Sequence, residues 1–272
     1  LLTVVGVLDD ILDIDPKIRL ITGLTAAGIV VAAGIGIAYV SNPFGEGVIH
    51  LNQPQIAFYL LGKTRTIWVL ADIFALLFIL WNINSVNWSK GVDGQLPSFV
   101  SVAMIVIALL AGRYAGDPTL FDTATFSYII AGAFLGLLVW NWYPQKMMPG
   151  YGAGSLAGFF LGVAAIISGA KVATVVIVLG VPTADALFTI ARRLARGKSP
   201  LWGDRGHLHH VLLDYYRLTR KQISLIYVGT TLGLGFAALY LNTTGKMITM
   251  ALVCTVVFVV HVHARKIQKA KR

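Results

Sequence analysis

Four polar clusters in this chain carry side chains suited to phosphate or cation chemistry. The first is Gly6-Val7-Leu8-Asp9-Asp10-Ile11-Leu12-Asp13, an acidic doublet closing an apolar run. Adjacent carboxylates in such a place are costly unless a cation stands nearby. On a helix, Asp9 and Asp13 share a face with Asp10 beside them. Such a group can hold a hard cation such as Mg²⁺ through its oxygens. The plainer alternative is a helix end that reaches water. The second cluster runs from Asn82 to Gln95 and holds Asn82, Asn84, Asn87, Lys90 and Asp93, with Gly91 and Gly94 between them. Its amides can bind a polar ligand or cap helix ends, and buried amides need partners either way.

The third cluster is Pro149-Gly150-Tyr151-Gly152-Ala153-Gly154-Ser155, followed by an apolar run. A Gly-rich loop entering a helix offers free N–H groups and a favourable dipole to an anion, and Ser155 is the expected N-cap. A flexible turn has the same composition. The fourth cluster runs from Arg192-Arg193 through Lys198-Ser199-Pro200 to Asp204-Arg205-Gly206-His207-Leu208-His209-His210. His207 and His210, three apart, share a helix face. Histidine and arginine both donate to phosphate oxygens. Zinc is a weaker reading, because no H-E-x-x-H pattern is present.

The elements that must position these clusters are membrane spans. Hydrophobic residues make up 57% of the 272 residues and charged residues only 12%, against roughly 25% in an average soluble domain. Mean hydropathy is +0.76. A soluble globular domain, a disordered chain and a disulfide scaffold are all excluded; the lone Cys254 has no partner for a bridge. The chain begins at Leu1 inside an apolar stretch, so further apolar sequence is expected before it. Apolar runs predict an all-α polytopic transmembrane helix bundle of about eight spans plus an N-terminal partial span. The spans fall near 18–40, 66–87, 95–112, 126–143, 155–170, 172–191, 222–241 and 246–263, after a stub at 1–8. Residues 41–65 read as a turn followed by a short hairpin with a structural role. The whole of 1–272 is expected to be one integral-membrane domain, with 192–221 a His/Arg-rich loop inside it.

Basic residues set the orientation. If the loop after the stub is cytoplasmic and sides alternate, all but five of the 22 Lys and Arg residues are cytoplasmic. The exceptions are Lys63, Arg65, Arg113, Lys171 and Lys246. The net charge of +10 then reflects topology and contact with anionic lipid. Nucleic-acid binding is not expected, because the basic residues are divided among membrane-bounded loops. All four polar clusters fall on the cytoplasmic side, which suits metal-assisted handling of a phosphorylated substrate at the membrane surface.

In this order, the clusters resemble the MraY/WecA family of polyprenyl-phosphate N-acetylhexosamine-1-phosphate transferases. Gly6 to Leu20 is similar to that family's Asp-Asp segment, and Asn84 to Gly94 to its N-x-x-N-x-x-D-G-x-D-G loop. Gly150 to Ser155 sits where the family carries M-G-D-x-G-S. Arg192 to His210 resembles its R-R…S-P…D-R-x-H-x-H-H loop, in the form of the UDP-N-acetylglucosamine branch. The resemblance implies transfer of a sugar phosphate from a UDP-N-acetylhexosamine to a polyprenyl phosphate, with Mg²⁺ as cofactor. It also implies a plasma (inner) membrane location and cytoplasmic active-site loops. It assigns Asp9, Asp10 and His209 to catalysis, with Asp9 and Asp10 as the metal ligands. Asn84, Asn87, Lys90, Asp93, Arg205, His207 and His210 are assigned to substrate binding. Pairing of two copies as a homodimer is left open.

Two positions depart from the family pattern. Lys90 replaces the first Asp of D-G-x-D-G, and Gly152 replaces the Asp of M-G-D-x-G-S, a metal ligand in the family. Asp13, Asp15 and Asp204 are the nearby acids that could compensate. Alternatively, Lys90 takes the cation's place and meets phosphate as a point charge. A relative that binds polyprenyl phosphate or nucleotide sugar without turnover is the competing reading. A transporter ranks below both, since Asp72 and Asp185 are the main ionisable residues in its spans.

Overall fold

The computed structural model describes residues 1–42, 45–60, 62–113, 116–169, 172–203 and 205–270. Apolar runs become helices here because lipid leaves backbone groups no partner outside the segment. The helices are α1 (Leu2–Leu12), α2 (Pro16–Ala32), α3 (Val69–Trp88), α4 (Gln95–Gly112), α5 (Pro118–Asn141) and α6 (Tyr151–Ile167). They continue as α7 (Val172–Val178), α8 (Gly180–Leu194), α9 (Leu208–Asp214), α10 (Arg220–Tyr240) and α11 (Thr243–Ala270). The chain is therefore an all-α, multi-pass membrane protein.

Among the described residues, five helices are long and apolar enough to cross a membrane: α3, α4, α5, α10 and α11. The pair α7 and α8 makes a sixth if counted as one span, although it is bent by 84°. This is fewer than the eight expected from apolar runs. The expected spans at 18–40 and 155–170 correspond to α2 and α6, each only 17 residues long. Gly34, at φ +93°, adopts a left-handed turn that ends the first helical path. The bend between α7 and α8 has a local cause. Pro182 has no N–H to offer the carbonyl four residues back, so the helix cannot continue smoothly through Leu179.

Between α2 and α3 the chain forms two antiparallel hairpins. Strand β1 (Tyr39–Ser41) pairs with β2 (Val48–His50), and β3 (Gln55–Leu60) pairs with β4 (Lys63–Trp68). The expected hairpin is present, and a second precedes it.

Helix α4 lies at the centre of the bundle. Its Phe99, Val100, Ala103, Met104 and Ile107 are fully buried, and it packs on α5 and α10. Helix α3 packs on α6, and α6 on α1. Glycines on α6 permit this closeness. A Cβ on Gly158 would stand 2.3 Å from the Asn82 carbonyl oxygen, and one on Gly6 would stand 2.3 Å from Gly152 Cα. Capping fixes where helices begin. Asp15 accepts from Lys17 N ahead of Pro16, and Thr219 with Gln222 forms a capping box on α10. The consequence is that all four polar clusters meet at one end of the bundle.

Candidate active site

Helix α1 delivers its carboxylates against a built-in cation. Asp9 is buried, and its Oδ1 accepts from Arg19 Nε at 2.6 Å. Arg19 Nη2 reaches Asp13 Oδ1 at 2.6 Å, with the Asp13 side chain almost fully exposed. The cation demanded by a buried carboxylate is thus an arginine on the next helix. Asp10 turns the other way. Its Oδ1 accepts from Tyr151 N at 3.3 Å, at the start of α6. A Cβ on Gly150 would stand 2.1 Å from Asp10 Oδ2, so glycine is what lets the carboxylate approach. The Tyr151 hydroxyl donates to the Arg19 carbonyl at 2.9 Å, closing α1, α2 and α6 into one unit.

The Gly-rich stretch differs from its expected form. Helix α6 begins at Tyr151 with Gly150 as N-cap, and Ser155 lies inside it, donating to the Tyr151 carbonyl at 2.7 Å. The glycines act in close packing, and the N-terminus of α6 meets Asp10.

Helix α3 carries Asn84 and Asn87 to the same place. Asn84 Nδ2 donates to the Leu80 carbonyl at 2.8 Å. Asn87 Oδ1 is buried without a hydrogen-bond partner, against Gly154. A cavity of about 200 Å³ opens here, lined by Asp9, Arg19, Asn84, Asn87, Lys90 and Tyr151 among others. Lys90 makes no hydrogen bond or close ion pair among the described residues. Burial lowers its pKa to about 8, opposed by the negative charges of Asp10 and Asp9.

The remaining expected residues stand beside this cavity, not in its lining. Asp93 is buried as a structural tie: Oδ2 accepts from Gln145 N at 3.0 Å and Oδ1 faces Arg220 Nη1 at 3.4 Å. Its carbonyl also accepts from Ser224 Oγ. Arg205 is largely exposed and pairs with Asp214 at 3.4 Å. His207 Nδ1 lies 2.9 Å from Asp185 Oδ2, and the Leu208 N–H donates to Asp185 Oδ1 at 2.8 Å. His207 also stands ring to ring with Trp88, which lines the cavity. His209 is buried against Gly91, where a Cβ would fall 2.0 Å from its Nε2. The histidine bank is therefore joined to the cavity through Trp88 and the Lys90-Gly91 step.

Burial, with His210 alongside, lowers the pKa of His209 to about 3. His210 is lowered too, by burial and by Arg205. Above the ordinary value of about 6.5 both folded and unfolded His209 are neutral, and pH has no effect through it. Below that value the unfolded chain takes a proton that the folded site refuses. Stability should then fall by up to about 1.4 kcal/mol per pH unit between pH 6.5 and 3. Thermal melts in detergent across that range test this against a His209→Phe variant, whose slope should be shallower.

Three participants were not legible as such from sequence. They are Arg19, which pairs with Asp9, Tyr151, which opens α6, and His261 on α11. His261 Nε2 lies 3.3 Å from Asp185 Oδ1, which makes Asp185 a hub joining α8, α9 and α11. An ionisable residue inside a span was the available signal for His261.

The described residues do not fit Mg²⁺. Asp9 is held by Arg19, Asp10 by the start of α6, and Gly152 has no side chain. Of the compensating acids, Asp13 pairs with Arg19 and Asp15 caps α2. Asp204 lies outside the described residues. Among the described residues, no group of three or more His, Cys, Asp or Glu side chains is placed to hold a metal ion.

The family model for glycosyl transferase family 4 matches residues 1–169. The chain belongs to glycosyl transferase family 4. The matched stretch contains α1 to α6 and so the whole helical frame of the cavity. Similarity to individual relatives extends further along the chain. The decaprenyl-phosphate N-acetylglucosaminephosphotransferase of Mycolicibacterium smegmatis is 28% identical over 250 residues, covering 84% of this chain and 58% of the relative. The probable undecaprenyl-phosphate N-acetylglucosaminyl 1-phosphate transferase of Bacillus subtilis is 24% identical, covering 84% of this chain and 60% of the relative. The phospho-N-acetylmuramoyl-pentapeptide-transferase of Shouchella clausii is 34% identical over 149 residues, covering 53% and 43%. This family 4 chain thus spans about 60% of the length of the N-acetylglucosamine-phosphate transferases it matches.

Proposed function

We propose that this chain transfers N-acetylhexosamine-1-phosphate from a UDP-sugar to a polyprenyl phosphate at the cytoplasmic face of the plasma membrane. The carrying observation is convergence. Carboxylates of α1, amides of α3, Lys90 just after α3 and a histidine bank at α9 gather in or beside one cavity at one end of a family 4 bundle. A lipid phosphate can reach that end from the bilayer and a nucleotide sugar from the water. In the reaction, an oxygen of the lipid phosphate attacks the β-phosphorus of the UDP-sugar. The bond from that phosphorus to the bridging oxygen breaks, and UMP leaves with the electron pair. The product is a lipid diphosphate sugar. N-acetylglucosamine is the favoured sugar, because the relatives with the widest coverage are named for it.

Phosphoryl transfer depends mostly on positioning and charge, which this site can supply. Lys90, Asn84 and Asn87 are assigned to the phosphates. His209, His207 and His210, with Arg205, are assigned to the sugar phosphate. Asp9 and Asp10 set the charge of the cavity, and Asp93 holds the Lys90 loop in place.

The test is formation of the lipid-linked product by the purified chain, read by mass spectrometry of the organic phase. Asp10→Asn and His209→Ala should each lower product formation by about 10²-fold or more, the scale of losing one preorganised electrostatic group. Unchanged rates in both variants would overturn the residue assignment.

A further inference from the structure

The cavity beneath Lys90 holds an unusual balance of charge for a phosphate site. Its cations are Arg19 and Lys90, and the carboxylates facing them are Asp9 and Asp10. Arg19 is committed to Asp9 and Asp13, each at 2.6 Å. Asp10 is committed to the N–H of Tyr151. That leaves the Lys90 ammonium as the charge with no close partner among the described residues. Beside it, Asn87 lines the same cavity, and its Oδ1 is buried without a hydrogen-bond partner. The ammonium and the Asn87 Nδ2 are donors, suited to anionic oxygen, and the ammonium repels a metal ion. A divalent cation placed here would stand next to two fixed positive charges, with Asp9 already paired to Arg19 through Oδ1 and Asp10 touching the Tyr151 N–H through one oxygen.

We propose that this cavity binds the phosphate of its ligand directly, through the Lys90 ammonium and the Asn87 amide, without a divalent cation between them. The inference rests on the transferase reading for the identity of its ligands. The shared chemistry is a phosphate oxygen, and its source is either a lipid monophosphate or a nucleotide diphosphate. Lysine serves as the point charge that a metal would otherwise supply.

The experiment is equilibrium binding to the whole chain in detergent, with undecaprenyl phosphate in one arm and UDP in the other. Each arm is run with Mg²⁺ and with chelator. At least one probe should bind with the same Kd in both conditions, and the arm that binds names the source. Lys90→Ala should weaken that binding by about tenfold or more, while Lys90→Arg should retain it. Binding that weakens about tenfold or more in chelator, or binding indifferent to Lys90→Ala, overturns the proposal. If Lys90→Ala does not fold, the chelator comparison on the unsubstituted chain decides. The two readings fail separately. Product formation that requires Mg²⁺ leaves the transferase standing and removes this proposal. Metal-free binding with no turnover does the reverse. Folded protein that binds neither probe contradicts both.

Discussion

Asp185→Ala is expected to unfold much of the histidine bank and to abolish transfer. Asp185 is buried and faces three groups: His207 Nδ1 at 2.9 Å, the Leu208 N–H at 2.8 Å and His261 Nε2 at 3.3 Å. Removing the carboxylate leaves buried groups from α9 and α11 without their acceptor. Each such group costs about 1–3 kcal/mol, and the losses are not fully additive, so about 3–5 kcal/mol in total is expected. The readouts are the melting temperature in detergent and the rate of product formation. Asp185→Asn keeps an acceptor for the Leu208 N–H and should lose less stability. His261→Ala removes one partner only and should leave the α8–α9 link intact. Melting of Asp185→Ala unchanged from the parent would show that the hub does not hold the bank.

Arg19→Met should have the second large effect. It removes the partner of a buried carboxylate and the link from Asp9 to Asp13. A fully buried pair broken this way costs about 3–5 kcal/mol, but Arg19 is about a third exposed, so about 2–3 kcal/mol is the expected loss. The substitution also frees the Asp9 and Asp13 carboxylates, which lie on one side of the α1 end. Added Mg²⁺ should therefore raise the melting temperature of Arg19→Met and leave that of the parent unchanged. Stabilisation of the parent by Mg²⁺ to the same extent would mean that Arg19 is not what fills the cation position.

The helical frame was readable because lipid permits few alternatives: an apolar run of sufficient length must close its own hydrogen bonds. Polar residues gathered at run ends were readable for the same reason, since charge inside the bilayer is costly. Span lengths were less readable. Hydropathy alone does not see Gly34 turning the chain out of α2, or Pro182 forcing the bend before α8. Composition also misplaced the start of α6. Glycines at 150, 152 and 154 have the look of a loop, yet they are helix cap and helix surface, small enough for Asp10, Gly6 and Asn87 to approach. The ion pair between Asp9 and Arg19 joins residues ten apart across a helix boundary, where no periodicity links them. The role of His261 depends on a contact with a residue 76 positions earlier, which only the fold creates.

These particulars bear on one claim: that the bundle end where the four clusters meet moves a sugar phosphate onto a lipid phosphate. The most direct measurement is UMP release by the purified chain given UDP-N-acetylglucosamine and undecaprenyl phosphate, with each substrate omitted in turn. The expected result is release that needs both. Release without the lipid phosphate, or none at all from folded protein supplied with both, would contradict the transferase reading.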